Sequence, residues 1–178
     1  MPLPTFKFRL NNQKMSYIEG AGLKIDAFSG NGEHANSPYS VAKSGAGPLP
    51  PGRYYIVDRE SGGRLSRLRD AVTARYSGVD HNEWFALYCQ DGAVDDFTFI
   101  HGVLRGNFRL HPAGPRNLSQ GCLTLPSRNE FYRLRNLLKN SALYYTIPGT
   151  GTRYYGIVDV FPDEKLASAP PNARPFCR

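Results

Sequence analysis

The chain has 178 residues, the length of one ordinary domain, and its 22 Lys and Arg against 15 Asp and Glu give a formal net charge of +7. A domain of this length can fold without a metal or a disulfide, so its three cysteines need another explanation. No stretch approaches the ~18 apolar residues of a membrane-spanning helix. Residues 1–15 lack the apolar run and cleavage site of a signal peptide.

The first part of the chain has the period of two that is typical of β-strands. Apolar and charged residues alternate over residues 6–10 and again over 23–27, after a glycine-rich turn, which predicts an opening hairpin. Residues 29–52 contain much Gly, Pro, Ser and Asn and predict a long loop of the kind that is often functional. A short strand is predicted at residues 53–57.

The middle of the chain predicts more strands and one inserted helix. Further strands are expected at residues 84–88, 97–100, 107–110 and 154–161. Apolar residues at spacings of three and four predict the inserted helix; they are Leu65, Leu68, Val72 and Tyr76. We expect residues 1–166 to form one domain that is mainly β, a small sandwich or barrel-like sheet, and residues 167–178 to form an extended tail.

The clearest helix signal begins at Ser127. Ser127 and Glu130 form a capping box, in which a hydroxyl and a carboxylate satisfy backbone N–H groups at the helix start. Four apolar residues supply the buried stripe: Phe131, Leu134, Leu137 and Leu138. This helix should end near Asn140 and pack against the sheet.

One segment combines residues that could carry chemistry. His111 stands at a predicted strand end eleven residues before Cys122, which follows Gly121. A cysteine is a nucleophile as its thiolate, and a neighbouring imidazole is the usual means of activating it. Gly121 would let the backbone approach a substrate, and the N–H groups around Cys122 could stabilise an oxyanion.

Three motifs give this segment a family resemblance. Residues 119–125, Ser-Gln-Gly-Cys-Leu-Thr-Leu, resemble the Ser-His-Gly-Cys-Ile-Arg signature of the YkuD-type L,D-transpeptidases. Residues 109–112, Arg-Leu-His-Pro, look like the strand that bears the catalytic histidine of that family, and residues 47–54 are similar to its Gly-Pro-x-Pro-x-Gly-x-Tyr turn. The DUF2778 branch, which includes type VI secretion L,D-transpeptidase effectors, also shares the Phe-Ser-Gly of residues 28–30.

The resemblance implies an L,D-transpeptidase-like fold and peptidoglycan chemistry. Cys122 would attack the meso-diaminopimelate–D-alanine bond of a stem peptide, and His111 would transfer the proton. Hydrolysis would trim the stem, a free D-amino acid would exchange with the terminal residue, and a second stem would give a 3-3 cross-link. Trimming and exchange are the expected outcomes, and the alternatives are an L,D-transpeptidase that forms 3-3 cross-links or a catalytically inactive wall-binding relative. No cofactor is implied.

The same resemblance suggests roles for nearby residues. Ser119 could orient His111 through its hydroxyl or its carbonyl, or simply form the turn before Gly121. Arg109 and Arg116 could bind a substrate carboxylate, and Tyr39 could cover the site.

The sequence departs from the broad family in three respects. Gln120 replaces the second histidine of the signature, and Thr124 stands where Arg or Asn is common. The interval between His111 and Cys122 is short, so His101, in an Ile-His-Gly sequence, is the alternative base.

Other sites and partners receive little support from the sequence. No metal site is predicted, because CxxC and HExxH motifs are absent and His34 and His81 stand alone. Nucleic acid binding is disfavoured because the arginines are scattered and no recognition motif occurs. Cys89 and Cys177 could form a disulfide in an oxidising compartment, or Cys89 could be buried and Cys177 disordered.

The positive charge would favour encounter with an anionic cell wall. The resemblance further implies injection by a type VI secretion system without a signal peptide, action in the periplasm of the target cell, a secretion-system carrier and a cognate immunity protein.

Overall fold

The computed structural model describes residues 2–59, 83–92, 95–114, 119–141 and 145–166. Within these residues the chain forms ten strands and one α-helix, so the fold is mainly β, as predicted. The strands are β1 (Thr5–Leu10), β2 (Ser16–Gly20), β3 (Leu23–Ala27), β4 (Gly52–Asp58), β5 (Phe85–Cys89), β6 (Phe97–Ile100), β7 (Val103–Gly106), β8 (Arg109–Pro112), β9 (Leu123–Leu125) and β10 (Tyr154–Pro162), and the helix is α1 (Arg128–Ser141).

Eight of these strands form one sheet that curls towards closure. Their order is β3-β2-β1-β10-β4-β5-β8-β9, with parallel pairing at β1–β10 and β8–β9. The two edge strands approach each other, because the backbones of Phe28 and Thr124 exchange two hydrogen bonds of 2.9 and 2.8 Å. The sheet is therefore nearly a closed barrel, with β9 at its seam.

The opening segment corrects the predicted hairpin. Residues 6–10 and 23–27 are both strands, but β2 lies between them and pairs with each, so the three form a meander. The alternation in β1 buries Phe6, Phe8 and Leu10 and leaves the charged residues between them more exposed. The turn at Ala21 and Gly22, both with positive φ, joins β2 to β3.

The helix α1 covers one end of the barrel. It begins at Arg128, and the backbone N–H of Glu130 donates to the Ser127 hydroxyl over 3.3 Å, which is half of the predicted capping box. Phe131, Leu134 and Leu138 are buried against the sheet. The helix ends one residue beyond the predicted Asn140.

The loop of residues 29–51 is ordered and contains two short 3-10 helices, Gly32–His34 and Pro38–Ser40. It packs into the core through Val41 and Leu49. The loop therefore forms a wall beside β9 and the turn before it, since Gly30 contacts Ser119 and Phe28 contacts Thr124.

A second, two-stranded sheet stands apart from the barrel. It consists of β6 and β7, joined by a turn at His101 and Gly102. The sequence predicted β6 but missed β7, and it placed the next strand at 107–110 instead of 109–112. Asn107 has φ = 57°, so the chain bends there and the new strand starts only after the bend.

The predicted insertion helix and the predicted C-terminal tail lie outside the described residues. None of the helices that the structure describes is long and apolar enough to cross a membrane.

Candidate active site

The parallel pair β8–β9 places the strand that carries His111 beside the strand that follows Cys122. Leu110 pairs with Leu123 and both point into the core, whereas His111 pairs with Thr124 on the other face of the sheet. Cys122 directly precedes β9 and lies two residues before Thr124, on the same face as Thr124 by the alternation of the strand. The eleven-residue interval thus returns the chain to the strand next to His111.

His111 is buried and held on three sides. Its Nδ1 lies 2.8 Å from the carbonyl oxygen of Pro112, and its Nε2 lies 3.4 Å from the hydroxyl of Thr124. The indole ring of Trp84 stacks on the imidazole, with the centroids 4.2 Å apart and the planes 19° from parallel. These contacts fix both the plane and the rotation of the ring.

The turn before Cys122 is fixed by Ser119. The Ser119 hydroxyl donates to the carbonyl of Cys122 over 2.7 Å and accepts the backbone N–H of Gly30 at 3.2 Å. The hydroxyl is thus engaged by the backbone of Cys122 and Gly30, as a turn residue would be, and orientation of His111 through the Ser119 carbonyl stays a prediction. Gly121, with φ = 109°, supplies a conformation that other residues rarely adopt.

The Cys122 thiol is half-buried and lies against backbone groups and positive charges. It contacts the carbonyl oxygen of Asn107 at 3.9 Å and accepts a hydrogen bond from the backbone N–H of Arg109. Burial raises the pKa of the thiol above its usual value, while that hydrogen bond and the charges of Arg109, Arg59 and Arg105 oppose the rise. The thiol is consequently protonated at neutral pH in the resting protein.

Arg109 does not present the free guanidinium that the sequence suggested. It forms a bidentate ion pair with Asp96, with Nη–Oδ distances of 2.6 and 2.8 Å, and both side chains are largely buried. Burial disfavours the charged form, but the hydrogen bond and the charge of Asp96 outweigh it, so the pKa of Arg109 is raised. Its guanidinium is a structural element of the site, and its backbone N–H is the group that touches Cys122.

The other predicted residues lie in different places. His101, the alternative base, is exposed at the tip of the β6–β7 hairpin. Tyr39 is 62% exposed in the second 3-10 helix, where its hydroxyl lies 3.4 Å from the carbonyl of Leu166. Arg116 falls outside the described residues.

The cysteines differ in state. Cys122 is a free thiol, whereas Cys89 is part of a disulfide. Cys177 is the other cysteine of the chain but lies outside the described residues, so its pairing with Cys89 stays a prediction.

Sequence reasoning missed three side chains that shape the site. Of the three, only Trp84 could have been noticed in the sequence, because it is the single tryptophan of the chain. Asp96 and Arg105 gave none, because their contacts join residues that are distant in sequence.

Within the described part of the chain, no group of three His, Cys, Asp or Glu residues is placed to hold a metal ion. The site residues are instead the imidazole of His111, which lies beside the Thr124 hydroxyl, and the thiol of Cys122, which lies beside the backbone of Asn107 and Arg109. Such a set is suited to nucleophilic catalysis by cysteine with histidine as the proton carrier.

Comparisons with known proteins identify the family of this chain. The Tlde1 domain family model matches residues 23–150, which is more than two thirds of the chain and includes β3 to β9 and α1. Searches among curated proteins and among solved structures gave no match. The chain therefore belongs to the Tlde1 domain family, an L,D-transpeptidase-like family of type VI secretion effectors.

Proposed function

We propose that this protein is an antibacterial peptidoglycan-modifying enzyme that uses Cys122 as its nucleophile to cleave the meso-diaminopimelate–D-alanine bond of tetrapeptide stems, or to exchange the terminal D-amino acid. The observation that most supports the proposal is the pairing of β8 with β9, in which His111 stands opposite Thr124, two residues after Cys122. Family membership supports delivery into a target cell and a cell-wall target. The link to the wider YkuD superfamily is part of the same proposal.

In the proposed reaction, the sulfur of Cys122 attacks the carbonyl carbon of the L-centre of diaminopimelate. Nε2 of His111 accepts the thiol proton as the S–C bond forms, because the protonated resting thiol needs a base at that moment. The imidazolium then returns this proton to the departing amine, and D-alanine leaves. Water completes hydrolysis of the thioester, whereas a free D-amino acid would complete exchange.

The oxyanion of the tetrahedral intermediate requires donors beside the sulfur. We assign this role to backbone N–H groups at Gly121 and Cys122, in the turn that Ser119 holds through the Cys122 carbonyl. A fixed turn supports this assignment, since oxyanion donors act best when they do not have to reorganise during the reaction.

The base is proposed to be His111 rather than His101. His111 is buried beside Thr124 and Trp84 on the strand adjacent to Cys122, whereas His101 is exposed on the separate hairpin. The variants H111A and H101A form a matched pair, because each removes one imidazole. Loss of activity in H101A with full activity in H111A would reverse the assignment.

The deciding experiment is digestion of purified sacculi followed by separation of the muropeptides. Conversion of tetrapeptides to tripeptides by the wild type, absent in Cys122→Ala, supports the carboxypeptidase reaction, and incorporation of an added D-amino acid supports exchange. New 3-3 cross-linked dimers would make cross-linking the main reaction instead. Tetrapeptides unchanged by the wild type would refute the enzymatic proposal and favour a wall-binding relative.

The biological role has a parallel test. Directing the protein to the periplasm of a test bacterium should be toxic with Cys122 and harmless with Cys122→Ala. Toxicity that persists in this variant would contradict the proposed mechanism. A cognate immunity protein and a secretion-system carrier are the partners that such an effector would need.

A further inference from the structure

Arg105 lies on the inner face of the two-stranded sheet and is almost completely buried, with 4% of its surface exposed. In the β6–β7 register it pairs with Thr98, which is also buried, while the neighbouring pair Phe99 and Leu104 is exposed. The β6–β7 hairpin thus directs the Arg105 guanidinium towards the 29–51 loop and the turn before Cys122. Burying a guanidinium in this way is costly unless it is hydrogen-bonded and balanced in charge.

Three backbone carbonyls of the loop satisfy the Arg105 guanidinium. One terminal nitrogen donates to the carbonyl of Val41, and the other lies 3.0 Å from that of Gly47 and 3.3 Å from that of Pro48. The carbon of the guanidinium also stands 5.6 Å from the centre of the Phe108 ring. One side chain therefore ties the loop to the hairpin.

The same guanidinium reaches the turn that carries the nucleophile. A Cβ atom added to Gly121 would lie 2.7 Å from Nη2 of Arg105 and 3.2 Å from the Phe108 ring. Arg105 and Gly121 are accordingly in van der Waals contact. This contact gives a physical reason, besides backbone conformation, for glycine before Cys122.

The hydrogen bonds of Arg105 are made by neutral groups, so they leave its charge uncompensated. Among the residues that the structure describes, no carboxylate forms an ion pair with it. The acidic side chains that could carry a compensating charge, if they lost their protons, are the phenol of Tyr54 and the thiol of Cys122. Tyr54 is fully buried, donates its hydroxyl to the carbonyl of Pro50 over 2.8 Å, and stays neutral because burial raises its pKa.

We propose that Arg105 is a positioning residue of the Cys122 site, which holds the 41–48 segment and the Gly121 turn in place and supplies the uncompensated positive charge that favours the Cys122 thiolate. This inference rests on the proposed role of Cys122 as nucleophile. The thiolate of Cys122 is an anion that the reaction would create near this guanidinium. Arg105 would then serve the step in which the thiol loses its proton.

Other charged groups also face Cys122 and define the controls. Arg109, on β8, also lowers the pKa of the Cys122 thiol through its charge, but that charge is balanced by Asp96. Arg59 directly follows β4, its guanidinium lies over the Trp84 ring, and its charge likewise lowers the pKa of the Cys122 thiol. His111 is the titratable group on the same strand face. Arg105 differs from Arg109 because it lacks a carboxylate partner among the described residues.

The test measures the rate of Cys122 alkylation by iodoacetamide as a function of pH, with the full-length chain. We expect Arg105→Gln to raise the apparent pKa of Cys122, so that alkylation near neutral pH slows by roughly two- to threefold. Arg105→Lys retains the charge and should keep the apparent pKa near that of the wild type. Arg53→Gln, which removes a cation paired with Asp159 outside the site, is the control for general loss of positive charge.

A second measurement covers the possibility that Arg105→Gln does not fold. Lysine cannot reach three carbonyls at once, so Arg105→Lys should speed amide hydrogen exchange within residues 41–49 relative to wild type and to Arg53→Gln. An unchanged apparent pKa in folded Arg105→Gln, or unchanged exchange in Arg105→Lys, would overturn the inference. Neither readout uses peptidoglycan, so inactivity of the wild type on sacculi would refute the proposed function while leaving the Arg105 test valid.

Discussion

Nδ1 of His111 donates a hydrogen bond to the carbonyl oxygen of Pro112 over 2.8 Å, so the neutral imidazole carries its proton on Nδ1. Nε2 is consequently the nitrogen that can accept a proton. At 3.4 Å from Nε2, the Thr124 hydroxyl is positioned to donate to it in the resting protein. A backbone carbonyl thus performs here the orienting task that an aspartate performs in other catalytic sets.

Trp84 should be required for this orientation. Removal of the indole in Trp84→Ala takes away the surface that stacks on the imidazole at 4.2 Å, so His111 becomes free to rotate. We expect a fall in kcat of roughly tenfold or more with a smaller change in KM, since a general base contributes 10²–10⁴-fold when it is well placed. Steady-state kinetics on tetrapeptide stems would measure both constants.

Trp84→Phe is the matched control, because a phenyl ring preserves a stacking surface and should retain most of the activity. Equal losses in the Ala and Phe variants would mean that stacking is not what orients His111.

Ser119 should stabilise the nucleophile turn rather than act on the imidazole. Ser119→Ala leaves the Cys122 carbonyl without its donor and the Gly30 N–H without its acceptor. We expect a loss of about 1–3 kcal/mol in the free energy of unfolding, measured with urea, together with slower alkylation of Cys122. Ser16→Ala is matched to it, because Ser16 is also buried and donates its hydroxyl to the carbonyl of Arg9 over 2.7 Å.

Ser16→Ala should lower stability to a similar degree but leave the thiol reactivity unchanged. If both variants slow alkylation equally, reduced stability alone explains the effect of Ser119.

The sequence predicted the parts of this molecule that depend on local patterns. The alternation of apolar and charged residues predicted β1 and β3, and the capping box of Ser127 and Glu130 predicted the start of α1. The missed strands, β2, β7 and β9, have only five, four and three residues. In β7 the exposed Val103 and Leu104 break the alternation that marks a half-buried strand.

The candidate site likewise contains residues that the sequence predicted and residues that it did not. The spacing of His111 and Cys122 predicted a catalytic pair, and the parallel β8–β9 pair puts His111 opposite Thr124, two residues after Cys122, while the pair itself stays a prediction. The partners that hold them were not predictable, because Trp84 precedes His111 by 27 positions and Asp96 precedes Arg109 by 13. Such contacts arise from packing between distant segments, which a single sequence does not encode in any local period.

Gly121 should tolerate no side chain, for two separable reasons. Its φ of 109° strains any other residue, and a Cβ would meet the Arg105 guanidinium at 2.7 Å. Gly149 also has positive φ, at 77°, but an added Cβ there meets nothing within 4 Å. Gly149→Ala therefore measures conformational strain alone, about 1 kcal/mol, and Gly121→Ala should cost clearly more.

Urea unfolding would give both costs, and alkylation of Cys122 should slow in Gly121→Ala only. Equal destabilisation by the two substitutions would show that the contact with Arg105 is unimportant.

The buried thiol of Cys122 should make stability depend on alkaline pH. Because the folded state raises the pKa of this thiol above its usual 9.0, the folded protein holds the thiol proton more tightly than the unfolded chain does. The resulting stabilisation is complete below the unfolded pKa and is lost as pH rises through the folded pKa. Cys122→Ser removes the titration, so the stability advantage of the wild type over this variant should shrink above pH 9, by at most about 1.4 kcal/mol per pH unit.

Thermal unfolding of both proteins between pH 7 and 10.5 would measure this change in stability, and the difference between the two proteins cancels the titration of tyrosines and lysines common to both. A constant difference across this range would mean that the folded thiol titrates as it does in the unfolded chain, and that the three arginines around it fully offset its burial.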